Sequence, residues 1–181
     1  MNPLVPIDVD PDTGIWSSDK LPMLYVPRHF FVNNHVAIEQ ALGRDAYARL
    51  LYDAGHKSAY TWCDKVSVTH SGDSLDVFRH YLTRLSQRGW GLFELLEVDP
   101  SSASASVRLR HSSMVLGRPG EHGKLCYMFS GWFAGAMDWV CDTQGIALRA
   151  HSEETSCQAE GHECCTFTIT ARTDKSSYQG A

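Results

Sequence analysis

The sequence predicts an α+β fold, an antiparallel sheet covered by helices on one side. Three observations lead there. Apolar residues recur at helical spacing in three successive segments ahead of Gly89. Two β-rich segments then flank the turn-forming Asp99-Pro100-Ser101-Ser102, and a nearly all-apolar segment from Leu125 precedes two further short β-rich runs. Helices grouped beside hairpins, rather than alternating regularly with strands, give an antiparallel sheet with the helices segregated to one face.

Taken in order, residues 1–20 hold Pro3, Pro6 and Pro11 among Asp8, Asp10, Asp12 and Asp19 without sustained periodicity, and are expected to form an extended N-terminal arm. Ile15 and Trp16 in that arm could dock on the core or on a partner, because a large exposed aromatic is uncommon without a contact. Met23-Leu24-Tyr25-Val26 reads as a short strand that Pro27 ends. From Arg28 to Leu42, Phe31, Ala37, Ile38, Ala41 and Leu42 have helical spacing, with Gly43 as a stop. A second helix is expected over 45–65, with Tyr47, Leu50, Leu51, Ala54, Ser58 and Trp62 along one face and Gly55 marking a kink or a close backbone approach. Asp73 can cap a third helix that buries Leu75, Phe78, Leu82 and Leu85.

Strands are expected over 90–98 and 105–114, then a polar connection at 117–123 and a buried helix from Leu125 to about Val140. Gly131 and Gly135 share a face of that helix and would admit another backbone. Strands over 146–149 and 166–171 finish the fold. A single domain over 21–172 is expected, with a flexible polar tail at 173–181.

Composition narrows the function. With 181 residues, 43% hydrophobic and 20% charged, the chain is globular and long enough for a substantial core. A net charge of -5 argues against a phosphate-binding surface, so nucleic acid is not an expected partner. The opening residues lack a basic region and a long apolar run, and the most apolar stretch is interrupted by Asp138, so a soluble cytoplasmic protein with no membrane partner is expected. Thiols stay reduced in that compartment, and the six cysteines then point to metal ligation or simple burial rather than disulfides.

Cys126, Glu154, Cys157 and Cys165 could close a tetrahedral metal site, since thiolates and carboxylates are ordinary zinc ligands. Cys157 would lie near the tip of the final hairpin and Cys165 on its returning strand, so the two can meet locally. Neighbouring strand residues face opposite ways, so only one of Cys164 and Cys165 can point at a shared metal. Burial of the three thiols as small core side chains, with Glu154 in solvent, is the competing reading.

Cys126-Tyr127-Met128 followed by Gly131-Trp132, then Glu154-x-x-Cys157-x-Ala159-x-Gly161-His162-x-x-Cys165, resembles the vinyl reductase (4-vinyl reductase) domain family, and particularly the sensory domains of bacterial phenol- and xylene-responsive activators. Gly55-His56-Lys57-Ser58 resembles a glycine-containing helix of the same domains. The likeness implies a zinc site at Cys126, Glu154, Cys157 and Cys165, structural in kind because four protein ligands leave no open position. The link between Gly135 and Glu154 looks longer than the family pattern, with 141–145 as the insertion, which makes Cys141 a rival ligand. The activators' ATPase and DNA-binding regions have no counterpart here, so transcriptional control is not implied.

The resemblance further implies a small aromatic ligand in an apolar pocket, for which Trp90, Phe93, His111, Trp132 and Phe133 are the candidate lining, with His111 or Arg110 as polar anchors; ordinary core packing is the alternative for each aromatic. Most of the nine histidines lack a partner at motif spacing, and His29 and His35 read as surface or capping residues. No nucleophile elbow, P-loop or dinucleotide fingerprint is present, so an enzyme is unsupported. Residues 21–35 also look like a narrower bacterial family of unknown function whose genes adjoin those for oxidative demethylation of dimethylglycine. The expected function is thus a non-catalytic, zinc-stapled, small-molecule-binding domain of sensor type, expected as a homodimer. The alternatives are an accessory or interaction subunit of an oxidative N-demethylase complex, and an enzyme of unknown reaction.

Overall fold

The structure is a computed structural model that describes residues 5–172; the expected tail over 173–181 and the first four residues of the expected arm lie outside the described residues. The rest of the arm is folded. Asp19 and Lys20 take left-handed backbone (φ 53° and 60°) and turn the chain, so Asp8–Val9 (β1), Trp16–Ser18 (β2) and Leu21–Met23 (β3) pair as a small antiparallel meander. Asp19 ties this meander to the body, accepting from Arg84 at 2.8 Å and Arg88 at 3.5 Å. The strand expected at Met23-Leu24-Tyr25-Val26 therefore lies two residues earlier, and Leu24 and Tyr25 are exposed.

Three helices follow, Arg28–Leu42 (α1), Arg44–Ser67 (α2) and Ser74–Gln87 (α3). The third is as expected: Asp73 caps it through a reciprocal bond pair with Asp76, and Phe78, Leu82 and Leu85 are buried. The other two present different faces from those expected. Helix α1 buries Val32 and His35 and leaves Ile38 and Leu42 exposed, because it packs along one edge of the molecule. Helix α2 buries Tyr47, Gly55, Ala59, Trp62, Cys63 and Val66, while Leu50, Ala54 and Ser58 face outward.

Strands Leu92–Asp99 (β4) and Ser104–Arg110 (β5) form a hairpin, and β5 ends earlier than expected because His111 is left-handed (φ 54°) and turns the chain into the short helix Ser113–Gly117 (α4). A 3-10 turn over Tyr127–Phe129 leads into Ser130–Thr143 (α5). The last hairpin is Ala150–Ser156 (β6) with Cys165–Ala171 (β7), and the four strands are ordered β4-β5-β7-β6, all antiparallel. Residues 146–149 are not a strand. Ile146 N–H instead closes the end of α5 on the Cys141 carbonyl at 2.8 Å, and pairing begins at Ala150, whose N–H reaches Asp138 Oδ1 at 2.6 Å.

Alternation along β5, β6 and β7 sends Val107, Leu109, Ser152, Glu154, Cys165, Phe167 and Ile169 to the helix side. Helix α5 lies in the middle of that side and is buried nearly all round. It can lie there because a Cβ at Gly131 or Gly135 would collide with the Tyr52 or His56 carbonyl of α2, while Gly55 of α2 leaves room for the Trp132 ring. Among the described residues, no helix is long and apolar enough to cross a membrane.

The glycine contacts generate a test. Gly135→Ala forces two packed backbones apart, and urea unfolding should show a loss of about 1–3 kcal/mol, the usual range for overpacking a core; Gly120→Ala, where nothing lies within 4 Å but φ is +82°, tests backbone strain without a clash.

Candidate metal centre and ligand cavity

Two chain segments meet at one end of α5. Cys126 sits just before the 3-10 turn, with its N–H donated to Glu154 Oε2 at 2.9 Å. Glu154 lies at an irregularity in β6, where the register shifts between Glu154 and Ser156 while Glu154 stays on the inward face. The hairpin tip then carries Cys157 and returns through Cys165. The Cys126 and Cys165 sulfurs are 3.5 Å apart and those of Cys165 and Cys157 3.6 Å, far beyond a disulfide bond length. One donor atom from each of Cys126, Glu154, Cys157 and Cys165 lies within 4.8 Å of all the others, and all four residues are buried. Glu154 is thus not in solvent.

These residues fit a zinc ion. Two sulfurs held on one tetrahedral zinc at ~2.3 Å each would be roughly 3.8 Å apart, close to the spacing here. Glu154 Oε1 is buried without a hydrogen-bond partner, which leaves a polar atom that a cation would satisfy. The sulfurs also have the donors that stabilise ligating thiolates: Gln158 N–H reaches Cys165 Sγ at 3.3 Å, and Ser112 Oγ lies 3.0 Å from Cys126 Sγ. Electrostatics alone leave the cluster crowded. Burial, with Cys157 beside it, pushes the Glu154 carboxyl up to about 9. The Cys157 thiol is held far below its ordinary value by the neighbouring Cys126 and Cys165 thiols, whereas Cys126 is driven far up by Cys157 and Cys165 and by burial.

The rivals fall outside. Cys141 is buried with its sulfur 3.9 Å from the Pro100 carbonyl, and Cys164 faces the other side of β7 beside Thr166. The residues 141–145 form the end of α5 and its closing turn.

The five residues expected to line a pocket divide. Phe93, Phe133 and Trp132 join Phe129 and Phe167 in edge-to-face ring contacts with centroids 4.9–5.9 Å apart, so the space between sheet and helices there is filled. His111 is exposed at the end of β5, and Arg110 faces Glu94 at 3.9 Å. Trp90 is edge-on to both Trp132 and Phe31 and borders a cavity of about 470 Å3 on the opposite side, between the N-terminal meander, the start of α1 and the end of α3. Trp16, Met23, Tyr25 and Phe31 supply its apolar wall.

Two polar groupings were not anticipated. Buried His35 meets the Tyr127 hydroxyl at 3.0 Å, Tyr127 donates to Glu39 at 2.6 Å, and Arg118 binds Glu39 at 3.1 Å. His56 Nε2 lies 2.8 Å from Asp138 Oδ2, joining α2 to α5. The available signals were the i,i+4 spacing of His35 and Glu39 and the charge at Asp138 inside the otherwise apolar stretch 125–140.

In fold the chain is similar to the phenol-responsive sensory domain of the transcription activator PoxR, solved with phenol, with which it aligns at a TM-score of 0.74 and 14% identity over 91% of this chain and 84% of that one. Trafficking protein particle complex subunit 3 from Naegleria fowleri, covalently bound to palmitic acid, aligns at a TM-score of 0.55 and 11% identity over 81% of this chain and 95% of that one. A vinyl-4-reductase family protein from Methanocaldococcus jannaschii aligns at 0.49 and 14% identity over 83% and 85%. No curated protein matches in sequence. The chain belongs to the family described as Domain of unknown function (DUF5943), whose model matches residues 1–96.

Burial holds His35 neutral, down to about 4 against the usual 6.5, with Arg118 adding to the effect. The unfolded chain therefore takes up this proton first as pH falls. Stability from His35 is complete above about 6.5 and drains away between there and about 4. Thermal melts across that window should fall less steeply for His35→Gln than for the parent chain.

Proposed function

We propose that this chain is a non-catalytic small-molecule-binding domain of sensor type, held together by a structural zinc ion at Cys126, Glu154, Cys157 and Cys165. The observation that carries the reading is the convergence of three buried sulfurs and a buried, half-unsatisfied carboxylate. Zinc there would supply cross-linking rather than chemistry: four protein ligands leave no position for a reacting water. The residues themselves pin the entry of α5 to the β6–β7 hairpin. Ligand binding is supported by the likeness in fold to a phenol-responsive sensory domain and by the apolar cavity beside Trp90. No constellation of nucleophile, base and oxyanion donors is part of this reading.

Elemental mass spectrometry on chain purified without a metal-affinity tag should find one zinc per chain. Cys157→Ser should lose the metal and several kcal/mol of stability, since structural zinc binding is coupled to folding. Cys164→Ser should keep both. Full metal content and an unchanged melt in Cys157→Ser would remove the zinc assignment.

A second reading, an interaction subunit, is favoured by one observation. Helix α1 exposes Phe30, Ile38 and Leu42 at 58%, 40% and 50%, an apolar stripe of the kind that marks an interface. We take its occupant to be a second copy of the chain; docking on an oxidoreductase complex rests on sequence resemblance alone. Sedimentation at micromolar concentration should give a dimer, and Ile38→Glu should shift it towards monomer without lowering the melting temperature.

A further inference from the structure

We propose that the cavity under the N-terminal meander binds a small organic monocarboxylate with a flat apolar body, a reading that rests on the small-molecule function above and specifies the ligand's charge and place. The size is right: about 470 Å3 lies within the range of small-molecule sites. The walls are aromatic. Trp16 and Tyr25 stack at 5.8 Å on the meander side, and Phe31 meets Trp90 edge-on at 5.1 Å on the helix side, so a planar body finds ring faces and edges on two sides.

Polar groups on the same wall lack partners. Ser18 and Ser113 are both among the residues that line the cavity, both are buried, and neither hydroxyl has a hydrogen-bond partner. Arg88 also borders it, and its Nε is buried and unpartnered. Native proteins rarely leave such groups unsatisfied, and three of them belong to residues around one hollow.

The charge of that ligand follows from a count. Arg84 and Arg88, both largely buried, share a single carboxylate, Asp19, which Arg84 holds at 2.8 Å and Arg88 only at 3.5 Å. One buried positive charge is therefore in excess beside the cavity. Arg28 adds another at the rim, and no Asp or Glu is among the described residues of the lining. On the far side of Arg88 and Trp90, a wider hollow carries Lys57 and Lys65, again with no carboxylate in its described lining. In a chain with net charge -5, this wall is locally basic. A carboxylate can accept from Arg88, whereas an uncharged ligand leaves the extra guanidinium uncompensated.

Isothermal titration of the full chain with 4-methylbenzoate, its uncharged analogue 4-methylbenzamide, and 4-methylphenol tests this. The acid should bind at one site per chain, about tenfold or more tighter than the amide, the worth of a hydrogen bond to a charged group. Arg88→Gln should erase that preference. Trp16→Ala, at a partly exposed ring, should weaken acid and amide alike. Equal affinity for acid and amide overturns the anionic ligand. Saturable phenol binding that is indifferent to Trp16→Ala and Arg88→Gln overturns the cavity while leaving the small-molecule reading intact. Failure of all three compounds to bind would overturn both.

Discussion

The close approach of α2 to α5 sets the architecture. A helix apolar on every side can be buried only if it has neighbours on every side, and α5 has the sheet beneath it and α2 against its glycine face. Gly131 and Gly135 bring the two backbones together, and His56 bonded to Asp138 fixes their register with a polar contact where the interior is otherwise apolar. Asp138 spends its second oxygen on the Ala150 N–H, and so the same carboxylate determines where β6 begins. Helix packing thus dictates the position of the last hairpin, and the last hairpin carries three of the four candidate metal ligands.

That dependence explains what the sequence revealed and what it hid. The cluster of Cys126, Glu154, Cys157 and Cys165 was legible because three of its members lie on one hairpin and the fourth just ahead of the helix that the hairpin covers; strand alternation said only that one of Cys164 and Cys165 could join it, and the family resemblance pointed to Cys165. Helix α3 was legible because its cap and stripe are local properties of the segment. The buried faces of α1 and α2 were not. Both helices carry apolar residues around much of their circumference, and the choice among faces is made by what packs against them: His35 is inside because Tyr127 meets it, and Gly55 because Trp132 fills the space over it.

The meander illustrates the same limit. Proline and aspartate in the first twenty residues signal an irregular chain, yet a left-handed turn at Asp19 and Lys20 and two distant arginines fold it onto the body. Once folded, it creates the cavity. Phe93 and Phe133, expected to line a pocket, instead complete a ring cluster in the core, and Trp90 joins that cluster to the wall of the cavity. A large aromatic stripe reads the same in sequence whether it encloses a ligand or fills a core, because both bury the same apolar area.

The cavity and the metal cluster are separate sites with a shared wall. Ser113 borders the cavity and donates its N–H to the Trp90 carbonyl at 3.0 Å, while its neighbour Ser112 caps α4 and touches the Cys126 sulfur at 3.0 Å. Trp90 packs edge-on against Phe129, whose N–H bonds to the Cys126 carbonyl at 3.0 Å. Two short chains of contact therefore run from the cavity wall to Cys126. A metal at the cluster would hold Cys126 fixed, and through these contacts it would hold Trp90 and Ser113 in place before any ligand arrives. Affinity in a small apolar site depends strongly on such preorganisation, since each wall side chain that must be ordered on binding subtracts from the contact energy. In the proposed function the staple would therefore serve ligand binding even though it lies outside the ligand's reach.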